Sequence, residues 1–137
     1  MTTKKLIWED RYSVGVEEID GQHKALFSII NNLLDAISSD KTTEHLKVVV
    51  ESLIKYKKFH FETEEKYFRE FNYEEKDEHT RIHNDFGEKL NKMKEKYSEY
   101  TIEFAFELVD FLEDWLIKHL MTADQKYISC FKEHGLK

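Results

Sequence analysis

Seven histidines are spread along this chain, and several stand at measured distances from each other or from a carboxylate. His60 precedes Glu64 by four residues, and His79 precedes His83 by four. On an α-helix such pairs sit about 40° apart, one turn along the same face. Two side chains so placed can reach one metal centre. Imidazole and carboxylate together suit iron, zinc or copper, and the donor types alone select none of them. His119 precedes Asp124 by five residues, which is about 140° of rotation on a regular helix. Those two share a face only if the helix is distorted there, or if Asp124 reaches across from a differently placed turn.

The elements that must carry these residues follow from composition. The chain has 137 residues, no proline and four glycines. Folds with many turns need Gly and Pro, so this scarcity argues for a few long helices. Apolar residues recur at helical spacing over about 20–38, 43–70, 76–97 and 102–120, with a short helical tail to about 132. Asp20, Thr42 or Thr43, and Thr101 are the expected N-caps of the first, second and fourth helices. The breaks between them, Ser38-Ser39-Asp40, Phe71-Asn72-Tyr73 and Tyr97 to Tyr100, are short. Short connections make neighbouring helices antiparallel. Residues 1–19 read as an arm whose Trp8, Tyr12, Val14 and Ile19 pack on the rest. The expectation is an all-α, up-down-up-down four-helix bundle over 20–132, including a short C-terminal helix, within one domain of 1–137.

Helical wheels then place the polar residues. His23 falls within the stripe Leu26, Phe27, Ile30, Leu34 and Ile37. His60 and Glu64 fall within Leu46, Val49, Val50, Leu53, Phe61, Tyr67, Phe68 and Phe71, whereas Glu62 and Glu65 sit on its flank. His79 and His83 lie on the stripe of Ile82, Phe86, Leu90, Met93 and Tyr97. His119 lies at the edge of Val109, Leu112, Leu116 and Leu120. Every helix therefore turns a histidine toward the shared core, and burying such groups unpaired costs several kcal/mol each. Isolated core histidines occur, but five on four facing helices ask for a common partner. His45 and His134 fall off the pattern and read as surface residues.

Charge and composition narrow the rest. The formal net charge is −7, with no basic cluster of the kind that tracks phosphates, so nucleic-acid and anionic-membrane partners are not expected. No apolar run approaches the roughly 20 residues of a membrane span, and the N-terminus lacks a signal-peptide pattern. Cys130 is the single cysteine, which excludes a disulfide scaffold or a cysteine-based zinc site and fits a reducing cytoplasm. Ser28, Ser52 and Ser129 stand in no nucleophile motif, and no Gly-rich phosphate loop occurs.

The motifs W8-E-D-R-Y12, G15-V-E-E-I-D20-G-Q-H23-K-A-L26-F27, H60-F61-E-T-E64-E65, H79-T-R-I-H83-N-D-F86 and W115-L-I-K-H119-L-M-T-A-D124-Q-K-Y127 resemble the hemerythrins over nearly the whole chain. The resemblance implies two iron ions joined by an oxo or hydroxo bridge. His79, His83 and His119 would hold one iron, His23 and His60 the other, and Glu64 and Asp124 would bridge them. With a bridging group, these ligands leave one of the twelve positions of two octahedral ions open, beside His23 and His60. Dioxygen would bind there reversibly, in a pocket walled by Leu26, Phe61, Trp115, Leu116 and Met121. Leu120-Met121-Thr122 stands where relatives commonly have Ile-Leu-Gly, a departure in the lining. Gln22, Asp20 and Tyr127 are the candidates for orienting the ligands, by nearness in sequence.

The resemblance implies an oxygen carrier or store, not an enzyme, most simply a cytoplasmic monomer with an unidentified protein recipient of oxygen. Sensing of oxygen or nitric oxide, or peroxide handling on the same scaffold, is the alternative. A ferritin-like site is disfavoured, because no Glu stands three residues before any histidine.

Overall fold

The computed structural model describes residues 5–38, 43–96 and 101–137. Four long helices dominate it: α1 (Glu17–Ser38), α2 (Thr43–Glu70), α3 (Lys76–Lys96) and α4 (Ile102–Met121). Two short ones follow, α5 (Ala123–Lys126) and α6 (Ile128–Glu133). The packing partners fix the directions. Tyr67, late in α2, hydrogen-bonds Glu18 at the start of α1. Phe68 packs on His79 at the start of α3, and Phe86 of α3 stacks on Phe111 of α4 while Lys96 pairs with Glu107. Successive helices therefore run antiparallel, as an up-down-up-down bundle. Among the described residues no helix is long and apolar enough to cross a membrane.

Local chemistry sets the helix ends. Thr101 caps α4 by accepting from the Phe104 amide at 3.2 Å. α2 closes on Asn72, whose φ of 49° is left-handed, with Tyr73 N–H donating to the Phe68 carbonyl and Asn72 N–H to Arg69. This is a Schellman ending, with the Phe68–Tyr73 contact that accompanies it. Gly135, at φ 79°, ends α6 the same way. α1 starts at Glu17, three residues before the expected Asp20. Glu17, Glu18 and Asp20 all lie in its first turn, where acidic groups oppose the helix dipole. Asp20 is thus not the cap. It reaches back to accept from Ser13 Oγ at 2.5 Å and the Val14 amide at 2.9 Å, which ties the arm to the helix. Thr43 is the first residue of α2, and Thr42 and Tyr97 lie outside the described residues.

The arm packs as expected. Tyr12 and Val14 are buried, Trp8 sets its ring edge-on to Tyr12 and Phe27, and Leu6 exchanges two hydrogen bonds with Asn31. Ile19 is buried too, as part of α1. The apolar interior is in two pieces. One includes Phe27, Ile30, Leu53, Leu90 and Leu108. The other, at the opposite end, joins Val14, Ile19, Phe68, Tyr127 and Phe131. Along α1, His23 stands between Ile19 of one cluster and Leu26 of the other, and Glu64 stands between Phe61 and Phe68 in α2. The polar centre is therefore sealed at both ends by hydrocarbon.

Candidate metal centre

The four long helices and the α4–α5 junction bring five imidazoles and two carboxylates into one buried cluster. His23, His60, Glu64, His79, His83, His119 and Asp124 are each 6% exposed or less. Glu64, His79, His83 and His119 offer ligand atoms all within 4.8 Å of one another, and His23, His60 and Glu64 form a second such group. Glu64 belongs to both. Asp124 spans them as well: its Oδ1 lies 2.9 Å from His119 Nε2 and 3.1 Å from His79 Nε2, and its Oδ2 lies 3.3 Å from His23 Nε2. Glu64 Oε1 lies 3.2 Å from His83 Nε2 and 3.7 Å from His60 Nε2.

Asp124 gains this position because the helix breaks. α4 stops at Met121, and Thr122 takes φ −121° and ψ −81°. Its hydroxyl donates back to the Lys118 carbonyl at 2.6 Å. α5 then starts a new turn, and its second residue faces the cluster. The distortion that a five-residue spacing requires is real, and it sits at one residue.

The outer ring nitrogens are held from behind. His60 Nδ1–H donates to Gln22 Oε1 at 2.7 Å, and His83 Nδ1–H donates to Glu65 Oε2 at 2.8 Å. Each bond fixes a proton on the outer nitrogen and turns Nε2 inward as a potential ligand. Tyr127 donates to Glu64 Oε2 at 2.5 Å, so Glu64 keeps Oε1 for the centre. Of the three candidates for orienting groups, Gln22 serves His60 on the next helix, Tyr127 serves Glu64, and Asp20 serves the arm. Glu65 was not among them. It does lie on the flank of the α2 stripe, and that flank is the side facing His83 on α3.

Several inward atoms have close neighbours yet no hydrogen bond. His23 Nε2, His83 Nε2, Glu64 Oε1 and both Asp124 oxygens are buried without a hydrogen-bond partner. His79 Nε2 and His119 Nε2 differ from these in meeting each other in a hydrogen bond of 3.1 Å. Orphaned buried atoms of this kind are rare and costly. Lone pairs brought within about 3 Å without hydrogen-bond alignment are aimed at a point between them, which is how ligands to a shared cation are arranged. Borderline imidazole nitrogens and hard carboxylate oxygens fit non-haem iron.

Titration of His60 and of both carboxylates agrees with that fit. Burial holds His60 down to about 3, against the pull of Glu64, which favours the neutral ring a metal needs. Burial and the Asp124 charge push Glu64 up, but His60 and His83 prevail and bring it to about 2. Burial raises Asp124 less than His119, His23 and His79 lower it, so it stays well below the usual carboxylate range. Burial alone would lower His83, yet the neighbouring Glu64 and Glu65 carboxylates carry it to about 9, so a metal binding there must displace a proton from this ring. Both carboxylates are thus ionised, ready to offset a cationic centre.

Leu26, Phe61, Trp115 and Leu116 line one apolar cavity beside the cluster. Phe61 stacks on His83 at 3.7 Å and Trp115 on His119 at 4.3 Å. Met121, expected in the same wall, is 37% exposed and lies outside that cavity's lining; the neighbouring Leu120 is fully buried. Met121 stands about 100° round α4 from buried Leu120, which turns its side chain outward. His45 and His134 are exposed, as expected.

Residues 14–131 match the model of the hemerythrin HHE cation-binding domain. The chain belongs to the hemerythrin family. It is 33% identical to a myohemerythrin of Theromyzon tessulatum over 120 residues, covering 88% of each chain. It is 30% identical to a bacteriohemerythrin of Pseudomonas aeruginosa over 135 residues, covering 93% of this chain and 82% of that one. A crystal structure of a hemerythrin point mutant superposes with a TM-score of 0.80 at 22% identity, over 91% of this chain and 95% of that chain. The fold of this hemerythrin-family chain is thereby that of a known four-helix bundle.

Proposed function

We propose that this chain binds dioxygen reversibly at a non-haem di-iron centre, as an oxygen carrier or store rather than an enzyme. The observation that supports this best is the sharing of carboxylates. Glu64 belongs to both ligand groups and Asp124 points one oxygen at each. A single ion has no use for seven inward donors, whereas two bridged ions use all of them. His79, His83 and His119 would hold one iron and His23 and His60 the other. Glu64, Asp124 and an oxo or hydroxo group would bridge the pair.

Iron bound there supplies the electrons that dioxygen takes on binding and returns on leaving. The residues of the chain do the rest. Gln22 and Glu65 hold imidazole protons on the outer nitrogens, and Tyr127 keeps one Glu64 oxygen turned away from the centre. Leu26, Phe61, Trp115 and Leu116 keep water out. A mostly hydrocarbon wall that holds little water to supply protons favours return of dioxygen over its further reduction. As part of the same reading we take the chain to act as a cytoplasmic monomer that hands oxygen to a protein recipient.

Gas uptake tests the reading. The reduced, iron-loaded protein should take up one dioxygen per two irons and give it back on purging. Uptake without recovery, or steady consumption of added peroxide, would instead establish a peroxide-handling protein on this scaffold.

A further inference from the structure

The apolar cavity beside the metal cluster is small, with room of about 20 Å³ for the centre of a water-sized sphere, enough for one small molecule. A far larger groove of about 510 Å³ runs outside it between α2 and α3, open to solvent and lined by polar residues such as Glu62, Asn84 and Glu88. Only two residues line both spaces, Lys57 and Phe61. They form the partition between solvent and the cavity.

The two are not equally free to move. Phe61 is 7% exposed. It stacks on His83 with 2° between the planes and meets Phe86 edge-on, so moving it would disturb a ligand. Lys57 is half-buried and ends a flexible stem. Its ammonium lies 5.0 Å from the Phe86 ring centre and 5.4 Å from that of Phe61. Among the described residues it makes no hydrogen bond or ion pair. Weak attraction to two ring faces is its only visible tether. Burial and the nearby Lys58 and Lys94 hold its pKa below the ordinary lysine value, so its charge gains little by staying in place.

We propose that Lys57 is the gate of this cavity: its stem plugs the passage between the outer groove and the apolar cavity beside the metal cluster, and swinging it into the groove admits small neutral molecules such as dioxygen. When Lys57 leaves, the ammonium enters solvent and the apolar channel stays apolar. Ions and larger solutes still meet a hydrocarbon neck that does not solvate them. A gate alters passage in both directions equally, so Lys57 sets the rates of access and escape and leaves the equilibrium unchanged. Assigning dioxygen as the traveller rests on the function proposed above; the partition itself does not.

The test compares Lys57→Ala, which removes the plug, with Lys57→Met, which keeps the stem and removes the charge. Both are made in a Trp8→Phe background, so that Trp115 of the cavity wall is the one tryptophan. The full chain is loaded with zinc, which fills the site without redox chemistry, and quenching of the Trp115 fluorescence lifetime by dissolved oxygen is measured. Access to Trp115 from the α3–α4 side is common to all the proteins and cancels in the comparison. Lys57→Ala should raise the quenching rate constant by about threefold or more, with Lys57→Met staying near the parent. In the iron-loaded proteins, oxygen association and dissociation should rise by the same factor in Lys57→Ala at unchanged Kd. Quenching in Lys57→Ala equal to the parent's would overturn the gate, whatever the iron-loaded protein does. If the iron-loaded parent fails to bind oxygen reversibly while the quenching still rises, the functional reading falls and the gate stands.

Discussion

Tyr127 donates its hydroxyl proton to one oxygen of Glu64 at 2.5 Å, while the other oxygen stands 3.2 Å from His83. One carboxylate is thus divided between a phenol fixed in the lower core and the cluster. Tyr127 is itself fully buried among Phe68 and Phe131, so it cannot follow Glu64 if the carboxylate turns.

Tyr127→Phe should therefore loosen the centre without unfolding the bundle. The ring packing survives, but a buried oxygen loses its donor, which costs about 1–3 kcal/mol. Loss of such a supporting hydrogen bond lowers metal affinity by about 10–100-fold. Competition against a chelator should show that weakening, and thermal denaturation should show the loss of stability.

Glu65 gives a graded version of the same experiment. It accepts from His83 Nδ1 at 2.8 Å and is only partly covered. Glu65→Gln keeps an acceptor of nearly the same shape, while Glu65→Ala leaves the His83 ring without its anchor. Metal retention under chelator challenge should fall in the order Glu65, Gln, Ala. The Ala variant should lose about 10–100-fold, and the far-UV circular dichroism of both variants should stay that of the parent.

Glu113 should make stability depend on pH. It is 8% exposed, its Oε1 has no hydrogen-bond partner, and burial together with the Asp110 charge lifts it from 4.5 to about 7. The raised value means the folded state binds this proton more tightly than the unfolded chain. Its contribution is whole below about pH 4.5 and is lost as pH rises through 7. Glu113→Gln should be as stable as the parent near pH 4.5 and more stable by about 1–3 kcal/mol at pH 8. Denaturant titrations at the two pH values check this; a constant difference between the proteins would contradict it.

Leu120 and Met121 should behave oppositely despite being neighbours. Leu120 is fully buried, so Leu120→Ala should cost about 2–5 kcal/mol. Met121 is 37% exposed, so Met121→Ala should change stability by no more than about 0.5 kcal/mol. It should also leave the lifetime of any oxygenated form unaltered.

These residues also show how much of the site is legible in the sequence. Regular periodicity placed His23, His60, Glu64, His79 and His83 on inward faces, because each sits well inside a long uninterrupted helix where 3.6 residues per turn holds. Asp124 defeats the wheel for one reason. Thr122 ends the helix with no Pro or Gly to announce it, and every face beyond it is turned. Asp20 defeats the capping rule at the other end, where Glu17 and Glu18 extend the helix upstream. Partners across helices escape a single-chain pattern in another way. Gln22 is next to His23 in sequence but serves His60, and Glu65 looks solvent-facing until α3 is set beside it.

The most direct test of the account is spectroscopic. The purified protein is reduced without air, exposed to oxygen, then purged, through several cycles. Visible absorption should appear with oxygen, fade on purging and return undiminished, with two irons per chain throughout. Absorption that persists as the ferric form after the first exposure, or a colourless protein holding tightly bound zinc, would contradict the proposed function.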